Sequence, residues 1–142
     1  MNILKQIKKD YADFGDALIT NVEYFAGFNF ETKKNQEEEI TITISCFNIN
    51  KPFGESNELI SLKCSDISYL NLKKYNGMIY QALLEKNENE YTIDFFPELI
   101  GKVEEDGLIS KENNDSICIV KCKNIAFKLI ANSMPITNSG YM

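Results

Sequence analysis

Apolar and polar positions alternate with different periods along this chain, and the changes of period mark its elements. At the start, Ile3, Leu4, Ile7, Tyr11 and Phe14 recur every three or four residues with lysines between them, which predicts a short amphipathic helix over residues 1–14 closed by Gly15. From Asp16 the period becomes two. "ALITNVEYF" runs on into the aromatic-rich "YFAGFNF" and predicts a long first strand, bent or bulged near Gly27. After a polar connector, "ITITISC" alternates without a fault and places Ile40, Ile42, Ile44 and Cys46 on one face. "NKPFGESN" has the Pro and Gly of a loop, and "ELISLKC" forms the next strand with Ile60, Leu62 and Cys64 inward.

Residues 78–85, "MIYQALLE", suit a helix by propensity, but the polar "KNENE" and the β-forming "YTIDFF" that follow favour a hairpin. "GKVEEDGLISKENND" reads as an acidic, loop-rich stretch, and "SICIVKC" continuing into "IAFKLIA" is the last strand. The fold class this predicts is mainly β: an antiparallel sandwich or partly open barrel of about six or seven strands with a short N-terminal helix. At 142 residues the chain fits one domain, with a β core over 16–131 and a flexible tail over 132–142.

One phrase recurs: "KCSDISY" at Lys63, "KCKNIAF" at Lys121, and the shorter "CFNI" at Cys46. Inward positions are even-numbered up to each cysteine and odd-numbered after it, at Ile49, at Ile67 and Tyr69, and at Ile125, Phe127 and Leu129. One extra residue at the Cys-x-[Asp/Asn] step, a β-bulge, would restore burial, and Asp and Asn tolerate the backbone such a step needs. The cysteines are then small buried hydrophobes. Cys118 and Cys122 would lie about 13 Å apart on a strand, too far for a disulfide. Cys46 and Cys64 are possible cross-strand neighbours.

Composition narrows the chemistry. Histidine, tryptophan and arginine are all absent. The commonest general base and metal ligand are therefore missing, as is the fork that grips phosphate or guanine. No phosphate-binding glycine motif or nucleophile–base pair occurs. The expectation is a protein that is not an enzyme and takes no metal and no cofactor. Asp10, Asp13 and Asp16 sit three apart, and a solvated polar face accounts for them better than a cation site. A net charge of −6 disfavours nucleic acid and anionic membrane surfaces as partners and suits a basic protein. Glu37, Glu38, Glu39, Glu104, Glu105 and Asp106, in two acidic loops, are the candidate partner-binding residues, forming a rim around aromatic anchors. With neither an apolar run of membrane-spanning length nor a secretory signal, cytoplasmic residence is expected.

The order of these motifs resembles the small β-rich immunity proteins of bacterial polymorphic-toxin and contact-dependent inhibition systems. Asp16 takes the place of the acid before their first strand. Leu62, Cys64, Asp66 and Ile67 match the third-strand motif, and Cys122, Asn124, Ile125 and Phe127 the last. The resemblance spans about residues 13–130, with Gly15 where such proteins often carry histidine and cysteines where they carry phenylalanine. It implies a non-enzymatic cytoplasmic inhibitor that binds and masks a cognate toxin, and the acidic surface suits a basic toxin domain. Two alternatives remain open at this point: a small barrel holding an apolar ligand, and a self-associating structural subunit.

Overall fold

The computed structural model describes residues 3–73, 78–103 and 107–132. Helix α1 (Ile3–Tyr11) buries Leu4, Ile7 and Tyr11 and leaves its lysines in water, as the three-and-four spacing requires. Strands follow as β1 (Ala17–Phe25), β2 (Phe28–Asn29), β3 (Lys34–Asn35), β4 (Glu39–Phe47), β5 (Asn57–Leu72), β6 (Met78–Ile79), β7 (Leu83–Asn87), β8 (Glu90–Asp94), β9 (Glu98–Val103), β10 (Gly107–Lys111) and β11 (Cys118–Asn132). Seven form one antiparallel sheet in the order β6-β1-β4-β5-β11-β8-β7, while β2–β3 and β9–β10 pair as separate hairpins.

The sheet ends at β6 and β7 and does not close into a barrel. Long strands β5 and β11 tie its two parts together. Their outer halves, Asn57–Ser65 and Asn124–Asn132, continue the sheet of β1 and β4, whereas Ile119–Cys122 pairs with β8. Inward side chains from both parts and from α1 join in a single hydrophobic cluster. It contains Ile40, Ile42, Ile44, Ile60, Leu62, Ile93, Phe95 and Val120, with Tyr11 and Phe14 beneath them. The hairpin reading holds for Leu83–Asn87, which pairs with Glu90–Asp94 around a turn with Glu88 at φ 52°, whereas Met78–Ile79, expected in the same hairpin, pairs with β1. "GKVEEDGLISKENND", expected as loop, instead contributes most of β9 and β10, because the short β-forming runs before and after its acids pair with each other. The first strand stops at Phe25. Gly27, at φ +105°, starts the separate β2–β3 hairpin, and the offset within β1 falls between Ile19 and Asn21.

All four cysteines are free and buried, and the parity switch occurs in both long strands. Cys64 lies opposite Ile125, and Cys122 opposite Ile67. Between these levels each strand advances two residues before the next inward side chain, Ser65–Asp66 in β5 and Lys123–Asn124 in β11. Both strands kink together, so the register is kept through the step, and the one-residue offset comes just beyond it, between Lys121 and Cys122. A bulge in one strand alone would have turned its partner's apolar side chains outward. "CFNI" behaves differently: β4 ends at Phe47, and Ile49, expected inward, is 60% exposed because Asn48 opens a loop. Cys46 faces Glu58 across the strands, not Cys64; the sulfur that meets Cys64 is that of Cys122, through a hydrogen bond. That bond, together with burial, holds the Cys64 thiol well above its usual pKa, and burial pushes Cys46 up to about 12. Both stay protonated and poorly nucleophilic at neutral pH.

Asp66 adopts φ 55° at the kink while its side chain is exposed. Asp66→Ile is therefore expected to lose about 1–2 kcal/mol, since a β-branched residue is strained there, and Asp66→Asn to lose almost nothing. Urea denaturation of the two variants checks this.

Candidate functional site

The link from α1 to β1 is the most strained backbone among the described residues. Ala12, Asp13 and Phe14 are successive left-handed residues, at φ 49°, 54° and 58°, and Asp16 follows at 62°. Each such non-glycine residue costs about 1–2 kcal/mol, so neighbouring structure has to hold the turn. Gly15 N–H donates to the Ala12 carbonyl at 3.1 Å, Ala82 N–H to that of Asp13 at 2.8 Å, and Asp16 N–H to that of Ile79 at 2.9 Å. Phe14 is fully buried, its ring 6.2 Å from that of Phe95 and 6.1 Å from that of Tyr11. The turn also places Asp13 off the solvated face expected for it. Asp13 Oδ1 is buried without a hydrogen-bond partner, and burial raises the carboxyl pKa against the opposing pull of Lys8.

Facing this turn is the β4–β5 loop, built on side-chain-to-backbone bonds. Asn48 Oδ1 accepts the N–H of Asn50 at 2.9 Å, Asn48 N–H donates to the Ser56 carbonyl at 2.8 Å, and Gly54 takes φ +95°. Ile49 N–H donates to the Asp10 carbonyl, an orphan acceptor of the last helical turn, at 2.8 Å, and Asn50 Nδ2 donates to the Asp10 carboxylate at 2.8 Å. Loop and helix end are thus fastened together.

Glu58 ties the helix end and the loop together from beneath. It is 2% exposed and accepts from Tyr11 Oη at 2.6 Å, from Lys51 Nζ at 2.5 Å and from Asn48 Nδ2 at 3.4 Å. Burial alone would raise its pKa. The contacts from Lys51, Tyr11 and Asn48 outweigh that and hold it below the usual glutamate value, so Glu58 is ionised at neutral pH.

The turn and loop enclose an open groove of about 560 Å³, with Tyr11, Gly15 and Asp16 on one wall and Phe47, Ile49 and Phe53 on the other. These three apolar side chains are 45%, 60% and 103% exposed, on a loop in which the N–H groups of Asn48, Ile49, Asn50, Lys51 and Glu55 are hydrogen-bonded. Asp16 and Glu55 are exposed nearby, and Lys51 is already engaged by Glu58.

The acidic rim predicted from sequence falls elsewhere. Glu37 is exposed beside the β2–β3 hairpin, where Phe28 and Phe30 are also exposed and Lys33 Nζ lies 3.4 Å from the centroid of the Phe30 ring. Glu38 accepts from Tyr24 Oη, and Glu39 pairs with Lys63 at 3.4 Å, so two of the three acids are partly spent within the molecule. Glu104, Glu105 and Asp106 lie outside the described residues. Sequence reasoning passed over Phe47, Ile49 and Phe53. The available signal was an apolar residue on each side of the turn-forming Asn48, together with an unpaired Phe between Pro52 and Gly54.

No group of three or more Cys, Asp or Glu converges for a metal among the described residues, and no helix there is long and apolar enough to cross a membrane. Comparison with protein-family models, curated proteins and solved structures finds no match.

Proposed function

We propose that this chain is a non-enzymatic binding protein of the immunity type, which covers the working surface of a basic toxin domain. The observation that carries this reading is the braced groove: Phe47, Ile49 and Phe53 held in water, with Asp16 in the opposite wall and Glu55 exposed on the same loop. Exposed aromatic and aliphatic anchors on a pre-ordered backbone lose little entropy on binding, and acidic neighbours favour a partner rich in Lys and Arg. Glu37, Glu38 and Glu39 add a second negative surface that steers the partner in. The order of sequence motifs supports the same reading, and the open sheet gives an enclosed apolar ligand no barrel lumen to occupy.

The test is calorimetric titration, with stopped-flow mixing for the rates, against a basic toxin domain sought first among the products of the neighbouring genes. Phe53→Ala, at a fully exposed site, is expected to weaken binding at least tenfold by raising the dissociation rate. Reversing Glu37, Glu38 and Glu39 to Lys is expected to slow association and flatten its salt dependence. Wild-type affinity for both Phe53→Ala and Ile49→Ala, or the absence of any binding, would remove the proposal.

A further inference from the structure

Among the described residues the sheet leaves two long borders unpaired, and that of β11 is the longer. Strand β11 is flanked by β5 along its length, but β8 covers its other side only from Ile119 to Cys122. Among the described residues no strand lies against that side from Lys123 to Asn132. The border of β1 is also open beyond Leu18, yet β1 carries a register offset between Ile19 and Asn21, an irregularity that blunts an edge. In β11 the offsets fall at Lys121/Cys122 and Leu129/Ala131, so Asn124–Leu129 between them is a regular run without proline, and Leu129 and Ile130 are 43% and 48% exposed. Unpaired N–H and C=O groups along such an edge are a template for another strand.

We propose that this edge pairs antiparallel with the same edge of a second copy, extending the sheet across a two-fold axis. The strand's own side chains select the register. Ile125, Phe127 and Leu129 lie opposite Cys64, Leu62 and Ile60 and so share the inner face, while Asn124, Ala126 and Lys128 occupy the outer one. A continuous sheet must match inner with inner, which restricts the axis to a residue position and excludes axes between residues. Centring on Lys128 would set two ammonium groups directly opposite. Centring on Phe127 instead sets Phe127 against its copy, Ile125 against the partner's Leu129, and Ala126 against the partner's Lys128. Like charges directly opposite destabilise a pair, which excludes Lys128; centring on Ala126 gives two apolar Ile125–Phe127 pairs but sets Leu129 against Lys123, whereas Phe127 gives three apolar pairs, so the axis falls at Phe127. The Phe127 ring already lies 5.9 Å from that of Tyr11, which orders it before pairing.

Ala126 is exposed and opposite Lys128 of the partner subunit, so charge placed there tests the register without disturbing the core. Sedimentation of the full chain from micromolar to submillimolar concentration is expected to show a monomer–dimer equilibrium. Ala126→Lys should weaken it about tenfold, because the two-fold axis creates two like-charge pairs. Ala126→Glu should strengthen it by a similar factor, and Ala126→Lys combined with Lys128→Glu should restore it. Amides within Asn124–Ile130 should gain hydrogen-exchange protection only at high concentration. A chain that stays monomeric throughout, or a dimer indifferent to charge at Ala126, would overturn the assignment. Neither result bears on toxin binding at the groove, which Phe53→Ala reads separately.

Discussion

Asp94→Ala is expected to lose about 4 kcal/mol of folding stability, a large share of the roughly 5–15 kcal/mol that a domain of this kind possesses. Asp94 is completely buried at the end of β8 and collects three donors: Ser116 Oγ at 2.5 Å, Asn113 N–H at 2.9 Å and Phe96 N–H at 3.0 Å. Beside it, Phe95 N–H donates to the Cys118 carbonyl at 3.0 Å and Asn113 Nδ2 to the Phe96 carbonyl at 3.1 Å. The carboxylate thus joins the end of β8 to the segment that leads into β11. Alanine would strand these donors away from water, and it is their desolvation that sets the size of the loss. Asp94→Asn keeps one acceptor oxygen and is expected to lose about half as much. Midpoints of urea denaturation, with unchanged slope, measure both.

Glu58→Ala is the second large effect, at about 3 kcal/mol. Removing one partner of a buried pair costs about 3–5 kcal/mol, and the lower end applies because the Lys51 ammonium, about a third exposed, can turn to water. The Tyr11 hydroxyl has no such escape. Glu58→Gln adds a pH signature. The folded-state pKa of Glu58 lies below its ordinary value of 4.5, so the stability supplied by its charge is present in full above that value and is lost as pH falls through the folded-state pKa. The stability gap between wild type and Glu58→Gln is expected to be constant from neutrality down to about pH 5 and to close in more acidic solution. Denaturation curves across that range check the sign. A gap that widened on acidification would mean that burial, and not the three contacts, dominates at Glu58.

Both residues show why part of this protein could be read from its chain and part could not. Ile40, Ile42, Ile44 and Cys46 alternate so regularly that only a strand buries them together, and all four are fully buried. The same rule made the parity change after Cys64 and Cys122 visible. It could not show that both strands would step at one level, because that depends on which residues face each other across the ladder. Asp94 and Glu58 were two acids in a chain holding 21. Their partners lie up to 47 residues away, and no local period marks such a pair. The β9–β10 hairpin was missed for a related reason: its acidic, glycine-containing sequence matches a loop until two short runs are brought together.

For the candidate site the division is sharper. Glu37, Glu38 and Glu39 were legible as an acidic cluster, but two of the three are engaged within the molecule, Glu38 by the Tyr24 hydroxyl and Glu39 by Lys63, which only the folded register brings near. The groove was not legible at all. Its walls come from the end of α1 and from the β4–β5 loop, and its backbone strain at Ala12, Asp13 and Phe14 is imposed by tertiary bonds to Ile79 and Ala82.

What the sequence determined by itself was the β class, the helix at the start, the inward faces of the strands and the absence of histidine and arginine chemistry. Each of these follows from residue identity or from a period of two or four residues, which local geometry enforces. Strand order, the fastened groove, the ionised Glu58 beneath it and the open border of β11 were decided only by the tertiary structure. They depend on contacts between segments tens of residues apart, whose pairing free energy exists only once the chain has closed on itself.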